Sequence, residues 1–486
     1  MSGFTESVQN SSQVKIDWKK IVGIVLVISV TIFLWVVPTS FFGVEEMSIT
    51  QQRTIAIFAF TALMWMFELI PTWTTSVVAI VFMLLTISNK GIGMLVAGDV
   101  GDLVNYKSIM ASFADPVIML FLGGFVLAVV ATKVGLDVQL AKVLLAPFGT
   151  KPKFVLLGFL LVIGVFSMFM SNTATAAMML TFLAPVLATL PADGKGRIAL
   201  ALAIPIAANI GGMGTPIGTP PNAIALGALA DAGYEITFAG WMLRMVPFVI
   251  VMLLFSWVLL LKLFPFKATK IELKIEPEDT GVKPWQKYIV WVTFALTIIL
   301  WVGESIFKIN SNVVALIPFA VFAATGVFTK EDLSSLNWSV LWMVAGGFAL
   351  GTCLNQTGLA KLLIESIPFT EWNIIFVMMI SGLLCYFLSN FISNSASANL
   401  VVPILIIVGT AMEGMESFDA VGGVTTLIVG VAISASVAMT LPVSTPPNAL
   451  AHSTGMISTH DMAKTGLIIG AVGFVLGYLL LIIIGF

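Results

Sequence analysis

Residues 171–177 read SNTATAA, and residues 393–399 read SNSASAN. Both are polar heptapeptides set inside long apolar runs, and both keep a hydroxyl at the first, third and fifth positions. The chain has 486 residues, of which 59% are hydrophobic and 10% charged, where soluble domains carry roughly 25% charged. Apolar runs close to the ~20 residues that cross a bilayer core follow one another along the chain. The first, IVGIVLVISVTIFLWVV at 21–37, is continuous and not alternating. A membrane β-barrel would alternate over ~10 residues per strand. The pattern therefore predicts an all-α polytopic membrane protein, because a lipid-exposed backbone must satisfy its hydrogen bonds within each segment.

The net charge of −2 is uninformative, and no basic patch suggests a nucleic-acid partner. Cys353 and Cys385 lie in apolar segments outside any CxxC pattern, so they read as buried thiols and not as a disulfide or metal site. Residues 1–20 form a polar segment expected on the cytoplasmic side, with Lys15, Lys19 and Lys20 before the first apolar run. That run is longer than a signal-peptide core and lacks a small-residue cleavage site, which predicts an uncleaved first span.

Spans are expected near 21–38, 54–70, 73–88 and 116–132, then a pair of short arms at 153–170 and 174–190 around the first heptapeptide. A span at 198–230, interrupted near 211–222, and another at 241–264 follow. The charged stretch 262–287 reads as a cytoplasmic linker. Beyond it lie spans near 288–306, 312–328 and 339–354, a second short pair at 372–392 and 396–412, a span at 421–454 interrupted near 442–448, and a last span at 464–485. The first half-repeat is thus 21–261, with hairpin 153–190 and broken helix 198–230. The second is 288–486, with hairpin 372–412 and broken helix 421–454.

The halves share landmarks in one order. GGF recurs at 123–125 and 346–348, Gly-Leu at 135–136 and 358–359, the SN motifs at 171 and 393, and TPPNA at 219–223 and 445–449. An internal repeat with an offset of about 225 residues in a membrane chain points to a secondary transporter with its site at the repeat interface. With the N-terminus inside and both short pairs re-entrant, the repeats come out inverted and the C-terminus outside. That arrangement puts about three-quarters of the 23 Lys and Arg residues on the inner side.

Polar groups at bilayer depth are costly unless buried in protein or lining a cavity. At the tip of a helix–turn–helix, Ser and Asn would cap the second arm and expose its first N–H groups, which attract anions. The prolines and glycines of GGMGTPIGTPPNAIA (211–225) and TLPVSTPPNALA (440–451) are expected to unwind their helices. Freed carbonyls are hard oxygen ligands for Na⁺, and the next half-helix faces an anion. Neither heptapeptide nor either TPPNA contains an ionisable residue. A charged substrate would be held by neutral donors, helix ends and co-bound ions, and Na⁺ beside a dianion would couple the two. His452 and His460 read as interfacial polar residues more readily than as a proton relay.

These motifs resemble the divalent-anion:sodium symporter family, which carries di- and tricarboxylates or sulfate, over essentially the whole chain. The resemblance implies an inverted-repeat transporter with about eleven membrane helices, two re-entrant hairpins and two broken helices. It also implies a homodimer whose transport domain slides as an elevator against a fixed scaffold. One Na⁺ would be held by Ser167, Ser171, Asn172 and Gly218, and a second by Ser389, Ile392, Asn394 and Ser444. Substrate carboxylates would meet Asn172, Thr173, Thr219 and Pro220 on one side and Asn394, Ser395, Thr445 and Pro446 on the other. Ser395 departs from the family's doubled SNT, keeping the hydroxyl and losing a methyl. Na⁺ is implied as the co-transported ion, with no organic cofactor, in a cell membrane.

The leading expectation is Na⁺-coupled transport of a succinate-, fumarate- or malate-type dicarboxylate. A sodium-independent dicarboxylate/2-oxoglutarate exchanger is the alternative. A membrane enzyme is disfavoured by the lack of GxSxG, HExxH or P-loop motifs. A channel ranks below alternating access because both broken helices recur in a repeat.

Overall fold

The computed structural model describes residues 18–44, 47–96, 103–188, 190–191, 194–271, 280–366 and 373–485. Three expected features reach beyond these: most of the N-terminal segment with Lys15, positions 272–279 of the linker, and residue 372 at the head of the second hairpin. They lie outside the described residues.

Regular structure in the described residues is helical, with one isolated bridge between Ser88 and Val104. Nine of the described helices are long and apolar enough to cross a bilayer. Trp18–Val36, Ile49–Phe67, Thr72–Thr86 and Pro116–Lys133 lead into the first hairpin, whose arms are Pro152–Phe169 and Asn172–Ala188. The first broken helix, Gly196–Gly212 and Pro220–Asp231, follows, and Phe238–Leu263 closes this half. The second half runs Pro284–Val302, Ser311–Val314 with Leu316–Ala324, Trp338–Gln356, the second hairpin (Ile374–Phe391 and Asn394–Ala411), the second broken helix (Gly423–Ser436 and Pro446–Ser453) and Thr459–Ile484.

Burial sorts these helices. Trp18–Val36 buries only Val27, as expected of a helix facing lipid. Gly196–Gly212 and Gly423–Ser436 are predominantly apolar and buried on nearly every side, which places them at the centre of the bundle. The restarted arms cross between halves: Pro220–Asp231 packs on Asn394–Ala411 and Gly423–Ser436, while Pro446–Ser453 packs on Asn172–Ala188 and Gly196–Gly212. Small residues permit the close approaches. A Cβ on Gly211 would overlap the backbone of Gly164 in the first hairpin, and one on Gly123 would overlap that of Ala315. Away from the centre, the buried Glu304 carboxylate accepts from Phe238 N at 2.7 Å and Ser311 N at 3.1 Å, joining two helix starts.

Both helix breaks end three residues earlier than the sequence reading expected. The first spans 213–219, inside the expected 211–222, and the second 437–445 where 442–448 was expected. The reason is the proline pair. Pro220–Pro221 and Pro446–Pro447 occupy the first turn of the restarted helices, where no amide hydrogen is required and the fixed φ suits the helix. They open helices and do not lie in the unwound stretch. The expected span at 312–328 is itself divided, at Ala315. The Gly-Leu landmark marks short helices that the span reading missed: Gly135 and Gly358, each at φ +70°, precede Leu136–Leu145 and Leu359–Ser366. The cysteines are free and buried, as expected.

Replacing Gly211 by Val should lower the thermal stability of the purified protein by about 1–3 kcal/mol or more, the usual size of an overpacking penalty. Gly93→Ala is the control, since a Cβ there meets nothing within 4 Å. Equal melting temperatures for both variants would contradict the close hairpin packing.

Candidate functional site

Four helices begin at one cavity. Its volume is about 250 Å³, just below the roughly 300–1,000 Å³ of drug-sized sites, so it suits a small molecule. Its wall includes Ser171, Asn172 and Thr173 at the start of a 17-residue helix and Ser393, Asn394 and Ser395 at the start of an 18-residue helix. Thr219 and Pro220 start a 12-residue helix on the same wall, and Thr445, Pro446 and Pro447 an 8-residue one. Among the described residues, no Lys, Arg, His, Asp or Glu lines it. The hairpin arms starting at Asn172 and Asn394 present unpaired N–H groups of their first turn, while the two Pro-Pro starts lack N–H at their first two positions and add only the positive end of the helix dipole, roughly half a unit charge per helix. Four such starts meeting without a carboxylate form an environment for an anion.

The two serines act as helix caps. Ser171 Oγ accepts from Ala174 N at 3.2 Å, and Ser393 Oγ accepts from Ala396 N at 3.2 Å. Capping leaves Asn172 and Asn394 as first helical residues with their amides free to turn aside.

In the first half the Asn172 amide meets a cluster of oxygens. Ser167 is fully buried on the first arm, and its Oγ lies 2.6 Å from the Asn172 amide and donates to the Ala208 carbonyl at 2.7 Å. With its nitrogen turned to the cluster, the amide donates to Gly218 O at 2.9 Å, Ser167 Oγ at 2.6 Å and Ala208 O at 3.2 Å. With its oxygen turned there, four oxygens converge with one hydroxyl proton among them. A small hard cation would relieve that arrangement. A Cβ on Gly212 would lie 2.6 Å from the Asn172 amide oxygen and 2.9 Å from the Gly218 carbonyl, so only glycine leaves the cluster room.

The second half places Ser389 where Ser167 stands in the first. Ser389 Oγ and Asn394 Oδ1 are buried atoms with no hydrogen-bond partner. An unpaired buried acceptor costs about 1–3 kcal/mol, so two such oxygens invite a donor or cation. Ser444 lines the cavity, donates to Asn390 O at 2.9 Å and accepts from Leu441 N at 3.1 Å. Ile392, between arm and cap, is buried, and its N–H is used on Leu388 O.

The eight expected substrate residues all line the cavity. Of the expected cation residues, Ser171, Asn172, Gly218, Asn394 and Ser444 line it, while Ser167, Ser389 and Ile392 sit behind the wall. His452 and His460 are outside it; His452 Nε2 pairs with Thr459 Oγ1 at 3.0 Å. Phe121, Asn209, Asn337 and Met343 also line the cavity and carried no motif that would mark them, and Phe125, of the GGF landmark, joins them. The Ala208 carbonyl is equally silent in sequence, because any residue has one.

The Asn of each TPPNA braces its break. Asn222 Nδ2 faces the carbonyls of Thr215 at 2.8 Å, Gly212 at 3.2 Å and Met213 at 3.4 Å. Asn448 Nδ2 donates to Met439 O at 2.9 Å and Leu441 O at 3.0 Å. Thr215 Oγ1 donates to the Met168 carbonyl, tying the first break to the first hairpin.

Comparison with known proteins follows this geometry. The citrate transporter family matches residues 62–422. A sodium-dependent dicarboxylate transporter of Staphylococcus saprophyticus is 30% identical, across 89% of this chain and 86% of that protein. An uncharacterized transporter of Haemophilus influenzae is 32% identical, across 86% of this chain and 88% of that one. Among solved structures, the Alcanivorax borkumensis YdaH transporter, described as having an unusual topology, shares the fold with a TM-score of 0.51 at 15% identity, covering 78% of this chain and 88% of its own.

Asn222→Ala and Asn448→Ala should each lower thermal stability by about 1–3 kcal/mol, because each leaves buried carbonyls without a donor. Unchanged melting of both variants would contradict the bracing role.

Proposed function

The chain belongs to the citrate transporter family, and from that premise we propose that it carries C4-type dicarboxylates such as succinate, fumarate or malate by Na⁺-coupled symport. The observation that carries the reading is the uncharged cavity at which four helices begin, with an oxygen cluster beside Asn172 and two unpartnered buried oxygens, Ser389 Oγ and Asn394 Oδ1, in the second half. One carboxylate meets Asn172, Thr173, Thr219 and Pro220; the other meets Asn394, Ser395, Thr445 and Pro446. One Na⁺ takes oxygens of Ser167, Ser171, Asn172 and Gly218, joined by the Ala208 carbonyl. A second takes Ser389, Ile392, Asn394 and Ser444. Each cation lies beside an Asn that also faces substrate, so filling the cation site fixes the amide and offsets the dianion's charge in a medium of low dielectric. That shared residue is the physical route to coupling.

The transport cycle is read as an elevator. Two inverted half-repeats, 21–261 and 288–486, are joined by the cytoplasmic linker 262–287, with the N-terminus inside and the C-terminus outside a cell membrane. The unit is a homodimer whose scaffold stays fixed. One observation favours the exchanger as a second reading: the Asn172 amide can itself satisfy Ser167, Ala208 and Gly218, leaving no demand for a cation there.

Labelled succinate uptake into proteoliposomes separates the two. Symport predicts uptake into empty vesicles under an inward Na⁺ gradient and none with K⁺. Uptake only into dicarboxylate-loaded vesicles, indifferent to Na⁺, would establish exchange and remove the sodium assignments. Asn172→Ala and Asn394→Ala should each abolish uptake while folded protein remains in the membrane; wild-type rates in both would overturn the site. Ser395→Thr should reorder the ranking of succinate, malate and citrate more than it changes protein level, and an unaltered ranking would strip that position of a role in selectivity.

A further inference from the structure

Asn209 belongs to neither heptapeptide nor TPPNA, and the proposed binding set does not use it. It sits on Gly196–Gly212, is 2% exposed and reaches the cavity wall. Its Nδ2 donates to Thr445 Oγ1 at 3.1 Å and to Asn448 Oδ1 at 3.1 Å. A first-half side chain thus holds the second-half break. Thr445 Oγ1 also accepts from Asn448 N at 3.3 Å. A hydroxyl has two acceptor lone pairs and one proton. Both lone pairs of Thr445 are engaged, so its proton is the polar function left to face the cavity.

The other end is built differently. Thr219, the counterpart of Thr445, makes no side-chain capping bond. The counterpart of Asn209 at the TPPNA offset is Ala435, which has no polar side chain. The Thr219 hydroxyl can therefore turn to donate or to accept.

We propose that Asn209 is a positioning residue that makes the Thr445 hydroxyl an obligate donor, so that the Thr445 end of the cavity selects an ionised carboxylate. The inference rests on the dicarboxylate reading for its ligand. An ionised carboxylate accepts at both oxygens, whereas a protonated carboxyl accepts well only at its C=O and its O–H finds no acceptor at Thr445, so the obligate donor favours the ionised form by strength of bond. The bond to the anion is charge-assisted and of the stronger class. The Thr219 end, with a rotatable hydroxyl, tolerates either polarity.

The test is a double-mutant cycle on the purified full-length protein in Na⁺ buffer, reading thermal stabilisation by succinate, citrate and sulfate. Thr445→Val should weaken anion affinity roughly tenfold, the size of one lost charge-assisted hydrogen bond, whereas Asn209→Ala leaves a rotatable hydroxyl and should weaken it less while flattening the rise of succinate affinity as pH rises through the carboxyl range. The double variant should be no weaker than Thr445→Val alone, since Asn209 acts only through that hydroxyl. Asn209→Leu keeps the volume and should match Asn209→Ala, which guards against collapse of the site. Losses that multiply in the double variant, or an unchanged pH profile in both Asn209 variants, would mean independent roles and would overturn the proposal. Wild-type affinity in both Asn209 variants would do the same. Stabilisation of the wild type by sulfate but not succinate would sink the dicarboxylate reading, and the same cycle read on sulfate would still decide the role of Asn209. Stabilisation by none of the three would overturn both.

Discussion

An anion held in this cavity at membrane depth would have to be stabilised without a charged side chain, since none of the described residues that line it is ionisable. The convergence of four helix starts is the constraint on which the rest of the structure depends. A helix start directs N–H groups only along its own axis and within its first turn. Four of them can meet only if two hairpins and two broken helices all turn at the same depth. The heptapeptides turn the hairpins, and the TPPNA motifs restart the broken helices. The crossing of each restarted arm onto the other half brings the four together.

Holding such a point open is costly, because the breaks free carbonyls as well as N–H groups. Asn222 and Asn448 take up those carbonyls from within their own motifs. The oxygens left over gather beside Asn172 and Asn394, where hard cations would be held. Cation demand and anion affinity would then arise from one act of unwinding, which gives the proposed coupling a structural basis without any ionisable residue at the site. Glycine at 212 is required for the same reason: the cluster leaves no volume for a methyl group.

Much of this was legible in the sequence. Apolar runs marked the helices, and the paired heptapeptides and TPPNA motifs marked the four helix starts at the cavity. Polar residues inside apolar runs marked the cavity wall, because burial at that depth demands a purpose. The ends of both breaks were placed three residues late because proline was treated as a breaker alone, when Pro220 and Pro446 serve as helix starters. Short helices after Gly135 and Gly358 escaped because they are too brief for a span pattern. Asn209 and the Ala208 carbonyl had no signal at all. One is a lone polar residue whose partners lie more than two hundred positions away, and the other is backbone.

The account's central claim is tested most directly by a cryo-EM structure of the protein with Na⁺ and succinate. Density for the acid should bridge Asn172, Thr173 and Thr219 on one side and Asn394, Ser395 and Thr445 on the other. Cation density should lie among Ser167, Asn172, Ala208 and Gly218. Succinate bound elsewhere, such as in the cavity of about 330 Å³ lined by Asp231, Asn355 and Lys361, with the four helix starts empty, would contradict it.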